Sequence, residues 1–270
     1  MIQVVIPSYK RAGSVKALDS FPTDYEPHLV VRSEEAAEYE KFYGSVAKII
    51  PIDGVHDIAT TRRKITEIYS GQRILMIDDD TTLHESVIIG SWRRPNPELL
   101  KDGIYGLFKV IEDAMDNGYV HGHVAFPVFP VGKDFKIFAE NSYGFTNVWL
   151  DLTAITPEQV GYGLVEICED AYSYLRLIKM GYNALKLRNY MVKSGKGNAP
   201  GGCSEFRTTS NHNKSLEKLV EDFPEYVKWK EKKSSLALSG DDEVKVVTIR
   251  AGKRKKSAAF ENMLKLYSTN

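Results

Sequence analysis

Only two cysteines, Cys168 and Cys203, occur in a chain of 270 residues. Their spacing fits no zinc-ligand pattern, and a chain of this size with no export signal is not built around disulfides. Both are read as reduced and structural. Long apolar runs are missing as well: nothing approaches the roughly 20 residues that a membrane-spanning helix needs. The start, MIQVVIPSYKR, enters a strand pattern without the layout of a signal peptide, so the expectation is a cytoplasmic protein with no membrane partner. Neither charge is in excess, with 36 Lys plus Arg against 36 Asp plus Glu, and bulk charge gives no argument for nucleic-acid binding. Internal repeats and low-complexity tracts are absent too. One local exception is RAGKRKK, residues 250–256, which gathers five cations. Its plain reading is a solvated loop or tail; its alternative is contact with phosphates.

What the chain does have is a hydrophobic fraction of 43%, enough for one large domain or a domain with an appendage. Short apolar runs at 2–6 (IQVVI), 28–32 (HLVVR), 47–52 (AKIIPI) and 73–77 (RILMI) read as strands. Helix-like segments separate them. Residues 33–44 have Ser33 as a possible N-cap and Gly44 as a stop, and residues 57–69 keep Ile58, Ile65 and Ile68 near helical spacing behind the capping residue Asp57. Strand, helix, strand, helix implies a parallel sheet with right-handed crossovers, whose ligands collect at the carboxyl ends of the strands.

The second half is less regular. Residues 99–119 are helix-like in their centre. HVAFPVFPVG at 123–132 is broken by prolines, which suits an edge strand or a loop, and 166–187 reads as a turn, a helix ending near Gly181, and a strand. Residues 213–233 read as two short helices split at Pro224, 234–243 as a linker, and the remainder as a strand (VKVVTI) and a last helix.

The chemistry begins where RILMI empties into Asp78, Asp79 and Asp80. Buried carboxylates are costly unless paired or bound to a cation, and the end of a core strand gives them access to one. On an extended backbone Asp78 and Asp80 point to one side and Asp79 to the other. Two hard oxygen donors suit Mg²⁺ or Mn²⁺, which keep water and recruit substrate phosphates. A turn or a helix cap, with Thr81 and Thr82 following, is the inert alternative. After the first strand, Pro7 fixes a turn, Ser8 and Tyr9 offer a hydroxyl and a ring, and Lys10 and Arg11 place cations where a nucleoside diphosphate needs them. Arg62 and Arg63 either add a cation over the same crevice or pair with Glu67 on the surface. His121 and His123 have strand-like spacing, consistent with metal binding or with a polar strand entry. Residues 195–203 carry enough glycine to close over a ligand, or form a plain connection. No glycine-rich phosphate loop follows the first strand, which disfavours a pyrophosphorylase-type nucleotidyltransferase.

VVIPSYKR at the start, an Arg-bearing helix, ILMIDDD some seventy residues on and the later ICEDAYSYLRLIKMGY together resemble a nucleotide-sugar glycosyltransferase of the GT-A fold, over roughly residues 1–190. GGCSEFR and FPEYV make the chain most similar to the TET-associated glycosyltransferases, found largely in bacteriophages and predicted to act on hydroxymethylated pyrimidines in DNA. The resemblance implies an α/β fold with a mostly parallel sheet flanked by helices, a core at 1–190, and an extension at 191–270 that completes the site. It implies Mn²⁺ or Mg²⁺ and a UDP-sugar as donor. Asp80 would be the more direct metal ligand, with Asp78 near the sugar or ribose and His212 a further metal candidate. Pro7, Ser8, Tyr9 and Arg11 would line the nucleotide, and Arg62 its base or phosphate. Asp170, or failing it Glu169, would match the general base of inverting members; their inert alternative is charge complementarity at a helix N-terminus.

The acceptor implied is the hydroxymethyl group of 5-hydroxymethylcytosine or 5-hydroxymethyluracil in DNA. Tyr143, Phe145 and Trp149 would receive a flipped base unless they belong to the core. No protein partner is implied. Two other functions fit the same residues: the same fold with a polysaccharide, lipid or protein acceptor, and a non-catalytic nucleic-acid-binding module using the basic cluster.

Overall fold

Four of the strands lie where the apolar runs place them: β1 (Gln3–Pro7), β2 (His28–Arg32), β3 (Lys48–Ile52) and β4 (Arg73–Met76). They pair in parallel in the order β3-β2-β1-β4. Residues 2–89, 92–96, 98–101, 103–126, 137–144, 147–194, 207–231, 238, 243–251 and 255–267 are described by a computed structural model of the chain. Near-continuous apolar runs arise because both sheet faces are covered. Val4, Ile6 and Leu75 point into one cluster, whereas Val5, Ile74 and Met76 point into the other.

Helices supply the covers. On the first face lie α1 (Ala36–Tyr43), α3 (Ile104–Asp116) and α7 (Ala258–Tyr267), through Tyr39, Ile111 and Phe260. On the second lie α2 (Ile58–Ile68) and α5 (Glu169–Lys179), through Ile65 and Leu177. Asp57 caps α2 as expected, accepting from the Thr60 N–H at 2.7 Å in a reciprocal capping box. Ser33 does not cap α1; it opens a single 3₁₀ turn ahead of it.

The less regular half completes the sheet. β9 (Val148–Asp151) inserts antiparallel between β4 and β7 (His121–Ala125), and the long β10 (Ala184–Ser194) follows in parallel to β7. β8 (Phe138–Glu140) and β5 (Thr81–Ile89) each pair antiparallel with β10, and β6 (Trp92–Pro95) pairs with β5. Seven of the ten strands share one direction, so the mixed α/β, mostly parallel architecture is as expected.

Two local readings change, and a third that was left open is decided. The start of the 123–132 segment is neither an edge nor a loop but part of a fully buried central strand, His121–Ala125, which ends before the prolines; residues 127–136 lie outside the described residues. Residues 213–233 are not two helices: α6 (Thr209–Asp222) starts earlier, and Pro224 turns the chain into a strand, β11 (Val227–Trp229), paired with β12 (Val247–Ile249). Trp149 is completely buried on β9, with its ring against Gly122, and so is core rather than a base receptor. A Cβ on Gly122 would sit 2.1 Å from both that ring and the Leu185 carbonyl. Gly122→Ala is therefore expected to lower stability by about 1–3 kcal/mol, read as a drop in the urea midpoint at unchanged slope.

Candidate active site

β1 and β4 are neighbours, so the loops leaving their carboxyl ends meet. The three aspartates are not extended. Thr81 closes a turn over them, its N–H at 3.1 Å and its hydroxyl at 2.7 Å from the Asp78 carbonyl, and β5 starts at once. The turn still divides the carboxylates as alternation would. Asp79 is buried, while the side chains of Asp78 and Asp80 remain 24% and 29% exposed.

Asp79 ties the two loops together. Ser8 donates to its Oδ2 at 2.6 Å, and the Arg11 guanidinium donates to its Oδ1. With the Ser8 proton so used, the Tyr39 hydroxyl donates to Ser8 Oγ (2.9 Å) and accepts from the Arg11 N–H (2.9 Å). Burial pushes the Asp79 carboxyl up to about 6 against the pull of Arg11 and Ser8. Arg11 also lies 3.3 Å from Asp80. Pro7 is buried in the sheet, paired with Val30, so it shapes this loop. Tyr9 lies half-exposed, with the Arg32 guanidinium 3.7 Å from its ring centre.

Arg62 is 1% exposed and bridges the two sides of the crevice. Its Nη2 donates to Asp78 Oδ1 at 2.7 Å, and its Nη1 lies 3.2 Å from Glu169 Oε1. Burial alone works against a charged guanidinium; Asp78 and Glu169 outweigh it and hold Arg62 ionised. The same burial lifts the Glu169 carboxyl above its usual range, with Arg62 pulling it back. Surface pairing with Glu67 belongs to Arg63 instead, at 3.0 Å. The sequence held this signal: Ala59, Arg62, Ile65 and Thr66 form the buried stripe of α2, and an arginine on such a stripe needs an anionic partner.

Glu169 and Asp170 open α5, where their charge complements the helix N-terminus. They differ in surroundings. Glu169 is buried on Arg62, whereas Asp170 is half-buried, with Oδ1 accepting the Ala171 N–H at 2.8 Å. It also accepts from Tyr143, whose hydroxyl is driven well above its ordinary value by burial and by the nearby Asp170 charge. Tyr143 in turn packs on Tyr174 and His123, with ring centres 5.3 and 6.1 Å away. It therefore supports Asp170 and does not offer a free stacking face; Phe145 lies outside the described residues.

Backbone strain marks both sides of the crevice. Lys10 and Cys168 have φ of 54° and 61°, left-handed values that non-glycine residues rarely adopt. The Lys10 turn is held by Glu35, which accepts its N–H at 3.0 Å.

The histidines do not join the aspartates. His212 lies in α6, with Nδ1 3.9 Å from the Cys168 sulfur. Among the described residues no three His, Cys, Asp or Glu side chains form a metal-holding group, so His212 does not complete a set with Asp78 and Asp80. His121 and His123 are fully buried on β7, and desolvation lowers both below their ordinary values, His121 to about 3. They are neutral core residues. Sequence reasoning missed Tyr39, Glu35 and Arg32, whose roles depend on α1 and β2 packing beside the first loop. Residues 195–203 and Cys203 lie outside the described residues.

Comparison with known proteins identifies relatives of the chain. A beta-glucosyl-HMC-alpha-glucosyl-transferase of Enterobacteria phage T6 is 50% identical over 96% of this chain and 96% of its own length. The protein of the same name from Enterobacteria phage T2 is 49% identical over the same shares. The chain belongs to the beta-glucosyl-HMC-alpha-glucosyl-transferase family. It is thus a glycosyltransferase, as the resemblance implied. No family model matches the chain. Among solved structures, the mannosyltransferase PcManGT from Pyrobaculum calidifontis, in complex with GDP-Man and Mn²⁺, is similar with a TM-score of 0.50 at 13% identity. The match covers 82% of this chain and 64% of that one, and it shows that this family shares the GT-A fold. Among the described residues, no helix is long and apolar enough to cross a membrane.

Proposed function

We propose that the protein transfers glucose from UDP-glucose to the glucosyl group of glucosylated hydroxymethylcytosine in DNA, working beside phage DNA in the host cytoplasm. The relatives' names supply the acceptor, and they move it one sugar beyond the hydroxymethyl group that the sequence suggested. The observation that carries the chemistry is the chain Asp78–Arg62–Glu169, which fixes the aspartate turn against the helix that presents Asp170.

A divalent cation fits this donor set. Asp78 has one oxygen engaged by Arg62, and Asp80 is half-exposed beside Arg11, so two carboxylates face the crevice, the number that Mg²⁺ or Mn²⁺ takes when substrate phosphates and water supply the rest. When bound, the cation offsets the charge that builds on the departing diphosphate. Asp78 and Asp80 would hold it there. Arg11 sits beside the same diphosphate, oriented by Asp79, and Tyr9 borders the nucleotide. At the opposite wall Asp170 takes the proton from the attacking hydroxyl, while Glu169, neutralised by Arg62, sets the position of Arg62.

The experiment is nucleoside mass spectrometry on DNA bearing hydroxymethylcytosine or its α- or β-glucosylated form, incubated with UDP-glucose and Mn²⁺. A hexose mass added to the glucosylated base is expected from the wild type. Asp80→Ala is expected to cut the rate by about a hundredfold or more, in keeping with the several kcal/mol of charge stabilisation a metal supplies. Addition to the unglucosylated base alone would replace the acceptor, and addition to neither would end this reading.

A further inference from the structure

We propose that the outer face of the β11–β12 ribbon is the surface on which the acceptor's phosphate backbone docks, gripped by Lys228, Lys230 and Arg250. The inference rests on the DNA acceptor argued above and names a surface for it outside the crevice.

Register decides which residues face outward. Val227 pairs with Ile249 and Trp229 with Val247, and paired residues share a face. Val227, Val247 and Ile249 pack inward on α5 and α6, with Leu175, Leu216 and Phe223. The alternate set therefore points away. Lys228 pairs with Thr248, and the ribbon continues at both ends as the Lys230 N–H donates to the Val246 carbonyl (2.9 Å) and the Arg250 N–H to the Tyr226 carbonyl (2.8 Å). Lys228, Lys230 and Arg250 are all exposed.

This outer face has three cations and a threonine hydroxyl, and no carboxylate. Glu225, Glu231 and Glu243 flank its ends. Some surface cations elsewhere are paired, Arg73 with Asp116, Lys109 with Asp113, Lys218 with Asp222 and Lys245 with Glu217, and others such as Lys16, Lys41 and Lys48 stand without an ion pair among the described residues. Lys228, Lys230 and Arg250 have no ion-pair partner among the described residues. In a chain of balanced net charge, three unpaired cations on one two-stranded ribbon form a local positive surface, complementary to a polyanion. Lys255 and Lys256, also exposed, follow shortly after in the chain.

The ribbon is also anchored on the acceptor side. Asn213, near the start of α6, accepts the Lys245 N–H at 2.9 Å and donates to the Glu243 carbonyl at 3.0 Å. Its neighbour His212 touches Cys168, the residue that introduces Glu169 and Asp170. A backbone held by the ribbon is thus held by the element that backs onto the proposed base.

The test compares the wild type with Lys228→Ala/Lys230→Ala/Arg250→Ala, checked for an unchanged melting temperature. Fluorescence anisotropy of a short duplex carrying glucosylated hydroxymethylcytosine, titrated across a salt series, reads binding directly. The variant is expected to bind at least about tenfold more weakly, with a salt slope shallower by about one per cation removed. Its KM for DNA rises, while DNA-independent hydrolysis of UDP-glucose stays at the wild-type rate. Equal affinity and equal slope in the two proteins would overturn the ribbon proposal. The two readings fail separately. Wild-type binding that is lost in the variant, with no sugar transferred by either, would uphold the ribbon and end the transferase assignment to this acceptor; equal transfer by both would do the reverse.

Discussion

Asp170→Asn is expected to lower kcat for glucosyl transfer by about 10²–10⁴ while leaving KM for the donor near its wild-type value. The substitution keeps the shape of the side chain. An asparagine oxygen can still accept the Ala171 N–H and the Tyr143 hydroxyl, so the fold and the first turn of α5 stay as they are. What it removes is the capacity to take a proton from the attacking hydroxyl. Single-turnover rates on glucosylated DNA read that loss directly, and a rate within tenfold of the wild type would remove Asp170 from the reaction. The anomeric configuration of the product is a second check. A base at Asp170 serves an in-line displacement that inverts the donor's configuration, and NMR of the transferred glucose showing retention would assign the residue another task. Glu169→Gln is not equivalent, because Glu169 is buried against Arg62.

Arg62→Met is expected to have the largest effect on stability. Methionine fills much of the volume but leaves Glu169 buried and Asp78 half-buried without their cation. Removing one partner of a buried ion pair costs about 3–5 kcal/mol, because the remaining charge stays desolvated. Urea denaturation measures this as a lower midpoint at unchanged slope, and a loss below about 1 kcal/mol would show that Arg62 is not the tie between the two walls. Arg62→Lys keeps the charge but has a single compact head in place of two forked donors, so an intermediate loss is expected. Transfer activity falls in both variants, since Asp78 is no longer oriented. Raising the pH from 5 to 8 deepens the defect of Arg62→Met, because burial lifts the Glu169 carboxyl above its unfolded value and ionising it without Arg62 then costs folding free energy.

Both predictions depend on features that were unequally visible before the fold was known. Asp170 and the aspartate turn lie next to strong local signals, an apolar run into carboxylates and an acidic pair opening an amphipathic helix. In its own residues Arg62 was one of two adjacent arginines, and the resemblance implied a place at the nucleotide, not a tie between Asp78 and Glu169. Its place on the stripe of Ala59 and Ile65 separates it from Arg63, and that distinction needed only helical spacing. Trp149, read as core or base receptor, stayed undecided for another reason. Nothing near Trp149 in sequence records that Gly122, on a strand paired beside it, leaves room for its ring.

The sequence by itself determined the first four strands, the capped helix between β3 and β4, and the arrival of three aspartates at a strand end. Those features come from the side-chain period of two or 3.6 residues and from caps, which neighbouring residues decide among themselves. Only the tertiary structure decided that Asp79 ties Ser8 to Arg11, that Tyr143 serves Asp170, and that the lysines after α6 lie on one face of a ribbon. These outcomes depend on pairings such as Ser8 with Asp79, 71 positions apart. Burial and partner choice at that separation follow from strand order and register, which no local pattern encodes.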